Sequence, residues 1–546
     1  MAAASQKAAF VRTTALVLAA PAAPKPSPSR ISCRYLQPRN IRYKHWNEPL
    51  GSGDILVFNL KKCAIMRTHA IAAPILILGA LSACGGGSGG GNAPPEPIGN
   101  QPPVFSSAAT ATIVENSTAS AYQAVASDPN SDPLTYSIAG GADGARFTIS
   151  ATGQLSFVTP PNYDLPTDAD GNNIYQVQIA ASDGKASTAL ALSVTVTNSK
   201  EGVAVHRVAA GFTNPVAMSP VSATAMLVAE KGGAIYLLNL ETGTKSLLIQ
   251  IDNVGAVGVT AMAAAPTFAA NGTFFVMYTT QYGYLVINRF LRNPAGPTVP
   301  DNNGPLLGIS APQYSGGGWL GYDSSGILLA ATGDAGGTTD STGSAQDTTS
   351  RLGKLLRLAP NPDPYAGATA VFFLVSTIAK GFHQPNGGSQ FGNSILLADH
   401  GQDVAEEIDL VTPGTSVTNF GWPFKEGTRT LGNATATDLV DPVVEYFRTT
   451  GLRTGKAIIG GAAGPSAVAS LRNQYVFGDG GGAIFAINTA AITAGTTRPA
   501  DAIERRDADF APDVGTIDHP VAITSGPGGA LFILDADGEV FRVDGS

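Results

Sequence analysis

Charge is scarce in this sequence: Asp, Glu, Lys and Arg make up 14% of its 546 residues, against roughly 25% in an ordinary soluble domain. The formal net charge is -8 and no long basic block occurs, which argues against an electrostatic grip on nucleic acid. Sugars, small molecules and other surfaces remain as partners. Cysteine is scarcer still, with Cys33, Cys63 and Cys84 all near the start. A chain cut at Cys84 would hold no intramolecular disulfide, so its fold must stand on its core alone. Long apolar runs are missing as well. The strongest one ends at Leu81 and is too short to favour a membrane span. What is plentiful is glycine (64) and proline (37), the punctuation of many turns between short strands. An all-β protein is expected, and the length calls for two or more domains.

The stretch "MRTHAIAAPILILGALSACGGGSGGGN" begins at Met66 with a short basic segment, continues as an apolar run and closes on Leu81-Ser82-Ala83-Cys84. It resembles a bacterial lipoprotein signal, residues 66–84, whose final cysteine is cleaved and lipidated. An accidental apolar stretch or a simple secretory signal is the alternative. A signal this complete makes residues 1–65 an upstream extension or a removed leader. Gly85 follows the lipidated position where an aspartate would imply retention at the inner membrane, so the resemblance implies a lipid anchor in the outer membrane of a bacterial envelope. Residues 85–102 have the Gly/Ser/Pro composition of a flexible linker.

Alternating strands recur from Pro103 to about residue 200, as in "PLTYSI", "QLSFV", "IYQVQIAASDG" and "STALALSVTVTN", the pattern of a β-sandwich. With Val114-Glu115-Asn116, "ASDPNSDPLTYSI", "TGQLSF" and "NYDLPTDADGNNIYQVQIAASDG", the segment resembles a bacterial cadherin-like repeat. That resemblance implies Ca²⁺ on Glu115, Asp164 and Asp183, because a hard cation wants six to eight oxygens. The family's terminal acidic linker is replaced here by "TNSKEG", which leaves a partial site. The alternative is solvated turn acids, with Asp128 and Asp132 capping a loop.

Residues 202–546 repeat a hairpin texture: "AMLVAEKGGAIYLLNLETG", "GTFFVMYTT", "GGWLGYDSSGILLAATGD", "SILLADHGQDVAEEIDLV", "NQYVFGDGGGAIFAI" and "ALFILDADGEVFRV". Such units cannot bury both faces alone, and six of them predict a six-bladed β-propeller. Together with "GFTNPVAM", "RLGKLLRL", "NFGWPFKEGT" and "DPVVEY", they resemble the soluble pyrroloquinoline quinone (PQQ) sugar dehydrogenases, the glucose/sorbosone dehydrogenase family. The resemblance implies oxidation of a sugar C1 hydroxyl. That chemistry needs a base, a Ca²⁺ that polarises the quinone, and cations for three PQQ carboxylates.

Matched residue by residue, much of that equipment is replaced. The family's base falls at Ser315, beside Tyr314, and neither is a base near neutral pH. A polar cofactor contact falls at Val257-Gly258. The element that supplies an arginine reads Gly381-Phe382-His383-Gln384-Pro385, with Gln384 left as a cofactor contact. The arginine pair of the last blade falls at His519 and Val521, and the basic residue beside "GDGGG" (478–482) is absent. Gly401 and Gln402 match the loop whose carbonyls hold Ca²⁺, a role that tolerates side-chain change. Asp334, Arg351 and Trp422 fit shared phrases and read as turn and packing residues.

Of the histidines past Cys84, His206 sits in an outer-strand run, while His383, His400 and His519 align with loops at the axial mouth. They are expected either to share a transition metal, to supply a replacement base, or to be unrelated loop residues. Two functions follow. One is an anchored PQQ/Ca²⁺ aldose dehydrogenase. The other is a binding protein whose mouth takes carbohydrate or another surface while the sandwich adds adhesion. The substituted clamp favours the second.

Overall fold

The structure is a computed structural model that describes residues 99–300, 305–361, 372–432, 436, 438–449 and 453–545. The leader, the lipoprotein signal with Cys84, and residues 85–98 of the linker lie outside the described residues. No helix among the described residues is long and apolar enough to cross a membrane.

The first domain is a sandwich. One sheet runs in the order Thr110–Val114, Ser187–Thr197, Ile174–Ser182 and Thr135–Gly140, and the other joins Tyr122–Gln123, Gln154–Phe157 and Phe147–Ile149. Its first long strand pairs in parallel with the last, and the remaining long pairs are antiparallel. The period of two in the sequence explains the packing. Along Ile174–Ser182, Tyr175, Val177, Ile179 and Ala181 turn inward while Gln176 and Gln178 face out. Val194 of the neighbouring strand joins them, and Leu155 meets them across the core, with Phe157 edge-on to Tyr175 at 5.0 Å.

The second domain is a ring of six blades. Blades one to five follow chain order, with inner strands Pro215–Ser222, Val254–Ala264, Trp319–Tyr322, Gln384–Phe391 and Ile458–Ala463. Blade six closes the ring: Pro520–Ser525, Leu531–Asp535 and Val540–Gly545 are joined on their outer edge by Val203–Ala209, the first strand of the domain. Middle strands such as Thr273–Thr280 are apolar on both faces because a blade lies on either side. Phe274, Val276 and Met277 are fully buried there, each stabilising the ring by roughly 1.5–3 kcal/mol.

Neighbouring inner strands come close enough in places to leave no room for a side chain. A Cβ on Gly460 would lie 2.2 Å from the Gly387 carbonyl carbon, and one on Gly387 would lie 2.9 Å from the Gly460 nitrogen. Only glycine permits this backbone approach between neighbouring blades.

The turn Lys200–Gly202 connects the domains through three consecutive left-handed residues, with φ of 52°, 48° and 82°. Against it sits Arg506, 1% exposed. Its guanidinium reaches Asp164 at 3.0 Å, Glu201 at 2.8 Å, Glu504 at 3.1 Å and Asp509 at 2.5 Å. The Asp164 carbonyl accepts from the Arg505 backbone N–H and from Arg453 Nη2. Ser470 donates to the Glu201 carbonyl, and Lys200 to that of Ala511.

Candidate functional site at the propeller mouth

Every inner strand begins at the same end of the ring, because each is followed by an antiparallel hairpin. The loops before the inner strands and the turns between second and third strands therefore gather at one mouth. This brings Ser315, His383, Gln384, His400, Gly401, Gln402 and His519 to one end of the axis, along with Lys231, Lys456 and Asp535.

Ser315 lies in the loop that ends in Gly316, Gly317 and Gly318. All three glycines have positive φ, and a Cβ on Gly317 would press on Gln384 Cα at 3.0 Å. Gln384 Nε2 donates to Ser315 Oγ at 2.9 Å. The hydroxyl proton and the amide oxygen stay available, so this corner of the rim is neutral. Tyr314 is structural: its hydroxyl donates to the Gly317 carbonyl and accepts from the Gly333 N–H, and burial pushes its ionisation well above the usual range. At Gly258 a Cβ would lie 2.4 Å from the Lys231 carbonyl oxygen.

His383 is 2% exposed. Its backbone N–H donates to Asp399 at 2.8 Å and its Nδ1 lies 2.7 Å from the His400 carbonyl, which makes Nδ1 the protonated nitrogen. Nε2 is buried without a partner. The ring packs 4.4 Å from Trp422, whose indole N–H donates to Asp334 at 2.7 Å. Asp334 is fully buried, and that burial raises its carboxyl above the usual range. Of the three residues read as turn and packing groups, Asp334 and Trp422 thus hold each other, while Arg351 is exposed.

The shared histidine metal is not formed. The His383 and His400 rings lie nearly parallel with centroids 6.4 Å apart, and His519 turns outward to Asp518 at 3.0 Å. Among the described residues, no group of three ligand atoms close enough for one ion includes a histidine. With Nδ1 donating to the His400 carbonyl, Nε2 is the nitrogen that keeps a free lone pair, and it is buried.

Gly401 is fixed by space, since a Cβ would lie 1.7 Å from the Ala405 carbonyl oxygen. Its own carbonyl already accepts from Arg448 Nη1 at 2.8 Å. Arg448 is ion-paired to Glu406, which is fully buried and also accepts from the Ile458 N–H at 2.9 Å. A Ca²⁺ on Gly401 would share an oxygen with a guanidinium, so the loop does not fit the ion. Gln402 is half-buried beside it.

Where the resemblance calls for arginines, the mouth is acidic. Carboxylate oxygens of Asp518, Asp535 and Asp537 lie within 4.8 Å of one another. Asp535 is fully buried and accepts from the backbone N–H groups of Asp518 and His519. Asp537 is pushed up to about 6 by partial burial and by its hydrogen bond with Asp535, with the charges of Asp535, Glu539 and Asp518 adding to it. The lysines overlooked in the sequence, Lys231 and Lys456, are exposed at the rim, in turns that the motif alignment did not cover. The rim thus sets a cluster of three carboxylates against two exposed lysines.

The three acids expected to hold Ca²⁺ in the sandwich do not come together. Glu115 is buried and accepts from the N–H groups of Tyr163 and Ser199, both at 2.9 Å. Asp164 meets Arg506, and burial raises it to about 8. Asp183 lies beyond the opposite end of strand Ile174–Ser182, where Lys185 and Ala186 N–H groups and Asn100 bind it and pull it down to about 2. The cation at Asp164 is a side chain from the propeller. A fully buried carboxylate group, Asp399, Glu407 and Asp409, lies within blade four, all three raised well above the usual range by burial.

Residues 212–477 match the family described as Glucose / Sorbosone dehydrogenase, and residues 100–197 match the Bacterial Ig domain. Three solved structures are similar to the chain. The PQQ-bound aldose sugar dehydrogenase of Streptomyces coelicolor is 20% identical, with 63% of this chain and 98% of that chain covered and a TM-score of 0.48. The apo soluble aldose sugar dehydrogenase of Escherichia coli is 19% identical over 63% and 100%, also at 0.48. The holo PQQ domain of pyranose dehydrogenase from Coprinopsis cinerea is 13% identical over 63% and 95%, at 0.46.

Proposed function

From a chain that carries a glucose/sorbosone dehydrogenase domain behind a bacterial Ig domain, we propose a protein that binds neutral carbohydrate at its propeller mouth without the family's quinone-dependent oxidation. The observation that carries this reading is the acidic group Asp518, Asp535 and Asp537, beside His519, where the resemblance calls for an arginine. Uncompensated like charges in a partly desolvated mouth cost binding energy. Arg448 on the Gly401 carbonyl supports the same conclusion for Ca²⁺. A neutral polyol meets neither obstacle, and Ser315 with Gln384 offers it a donor and an acceptor.

The test is calorimetric titration of the full chain with PQQ, with and without Ca²⁺, beside dye reduction with aldoses. Absence of cofactor binding and of turnover, with binding of neutral sugars, supports the reading. Micromolar PQQ binding in Ca²⁺ with aldose-dependent dye reduction overturns it in favour of an active aldose dehydrogenase.

We further propose that lipidation at Cys84 anchors the protein to the outer membrane and that the sandwich presents the propeller to surface carbohydrate or protein. Incorporation of labelled fatty acid that is lost in Cys84→Ser tests the anchor. Equal labelling of both forms would refute it.

A further inference from the structure

Beneath the mouth, the six inner strands enclose an axial cavity of about 450 Å³, within the range of roughly 300–1,000 Å³ that holds small ligands. Its wall is built mostly of glycine, alanine, serine and threonine, and its aromatic side chains, Trp319 and Tyr322, both come from blade three. The surrounding glycines shape the place of the indole. A Cβ on Gly321 would lie 2.1 Å from Trp319 Cζ2, and one on Gly388, across the blade boundary, 3.3 Å from Trp319 Cδ2. The ring thus lies along its own strand, over one glycine and beside another, and it is only partly buried. At the far end of that strand, the Tyr322 hydroxyl is buried without a hydrogen-bond partner, so Tyr322 presents only its apolar part to the cavity.

We propose that this cavity seats one pyranose ring of a neutral carbohydrate, with Trp319 as the platform for its apolar face. The inference rests on the carbohydrate-binding reading and assigns it a place. An aromatic face offers broad apolar contact at little cost in conformational entropy. The Ser315–Gln384 pair lies directly above, since Gly317 and Gly318 link Ser315 to Trp319. A ring lowered into the cavity would stack on the indole and turn its outer hydroxyls toward that pair. The small-residue wall admits a six-membered ring, while the lack of a cation in the wall gives no preference for acidic sugars.

The experiment titrates the full chain with glucose, galactose, xylose, mannose and their methyl glycosides by calorimetry and saturation-transfer NMR. Trp319→Ala is expected to weaken binding at least tenfold. Trp319→Phe, which keeps a ring and guards against loss of fold, is expected to retain most of the affinity. Glucuronate is expected to bind no better than glucose. Sugar binding that survives Trp319→Ala in a folded variant overturns the platform and leaves mouth binding standing. Failure of every sugar to bind overturns both, and affinity confined to PQQ with Ca²⁺ restores the oxidative reading.

Discussion

The domain junction and the propeller mouth both gather carboxylates, yet they settle that charge in opposite ways. At the junction Asp164, Glu201, Glu504 and Asp509 surround one guanidinium, that of Arg506, and the group is largely closed to water. At the mouth Asp518 and Asp537 stand exposed around buried Asp535 with no arginine among them. The first arrangement serves architecture, because a buried charge must find its partner inside the protein. The second relies on solvent, and so it shapes which ligands can enter. Arg448 belongs with the first kind: it neutralises Glu406 and, in doing so, consumes the Gly401 carbonyl.

Removing the junction cation should give the largest effect. Arg506→Met leaves buried acids without a counter-charge, and a loss of about 3–5 kcal/mol is expected in denaturant unfolding of the full chain. A loss below about 1 kcal/mol would erase the contrast between the two regions. Arg448→Met comes next, with an expected cost of about 2–3 kcal/mol, since Glu406 keeps its backbone donors but loses its ion pair. In that variant millimolar Ca²⁺ should raise the melting temperature, whereas the parent should not respond. Equal responses would show that the guanidinium does not govern the carbonyl.

The pH dependence sharpens the comparison further. Asp164 holds its proton up to about 8, far above an unfolded aspartate. Its contribution is complete below the unfolded value and is lost as pH rises through about 8. Melting temperature should therefore fall from about pH 4 to about pH 8 and level off above that, and Asp164→Asn should flatten that slope. A slope unchanged by the substitution would assign it to another group. The smallest effect is expected at the mouth, where Asp518→Asn with Asp537→Asn should change stability by no more than about 0.5 kcal/mol. The same pair should increase binding of anionic ligands several-fold at low salt, and an unchanged anion affinity would show that these charges do not guard the entrance.

The architecture was legible because it is written in local repetition. Each hairpin phrase became a blade, and "VAVHRV" became the outer strand of the closing one. Replacement of the base by Ser315 could also be read locally, from a motif a few residues long. The arginines could not. Arg506 meets Asp164 across 342 positions of sequence and Arg448 meets Gly401 across 47, so neither contact leaves a pattern in either segment. The same distance hid the separation of Asp183 from Asp164, although only a strand lies between them: nine extended residues, Ile174–Ser182, span roughly 30 Å. The histidine trio failed for a different reason. Sharing a mouth fixed where the backbones lie, but ring direction depended on the His400 carbonyl and on Asp518.

The seam of the ring has a thermal consequence. The strand Val203–Ala209 that completes blade six emerges straight from the left-handed turn holding Glu201 against Arg506. Peeling that strand away opens the ring and strips the sandwich of its footing in the same motion. Heating should accordingly produce one endotherm for sandwich and ring together, and the two should have no melting points of their own.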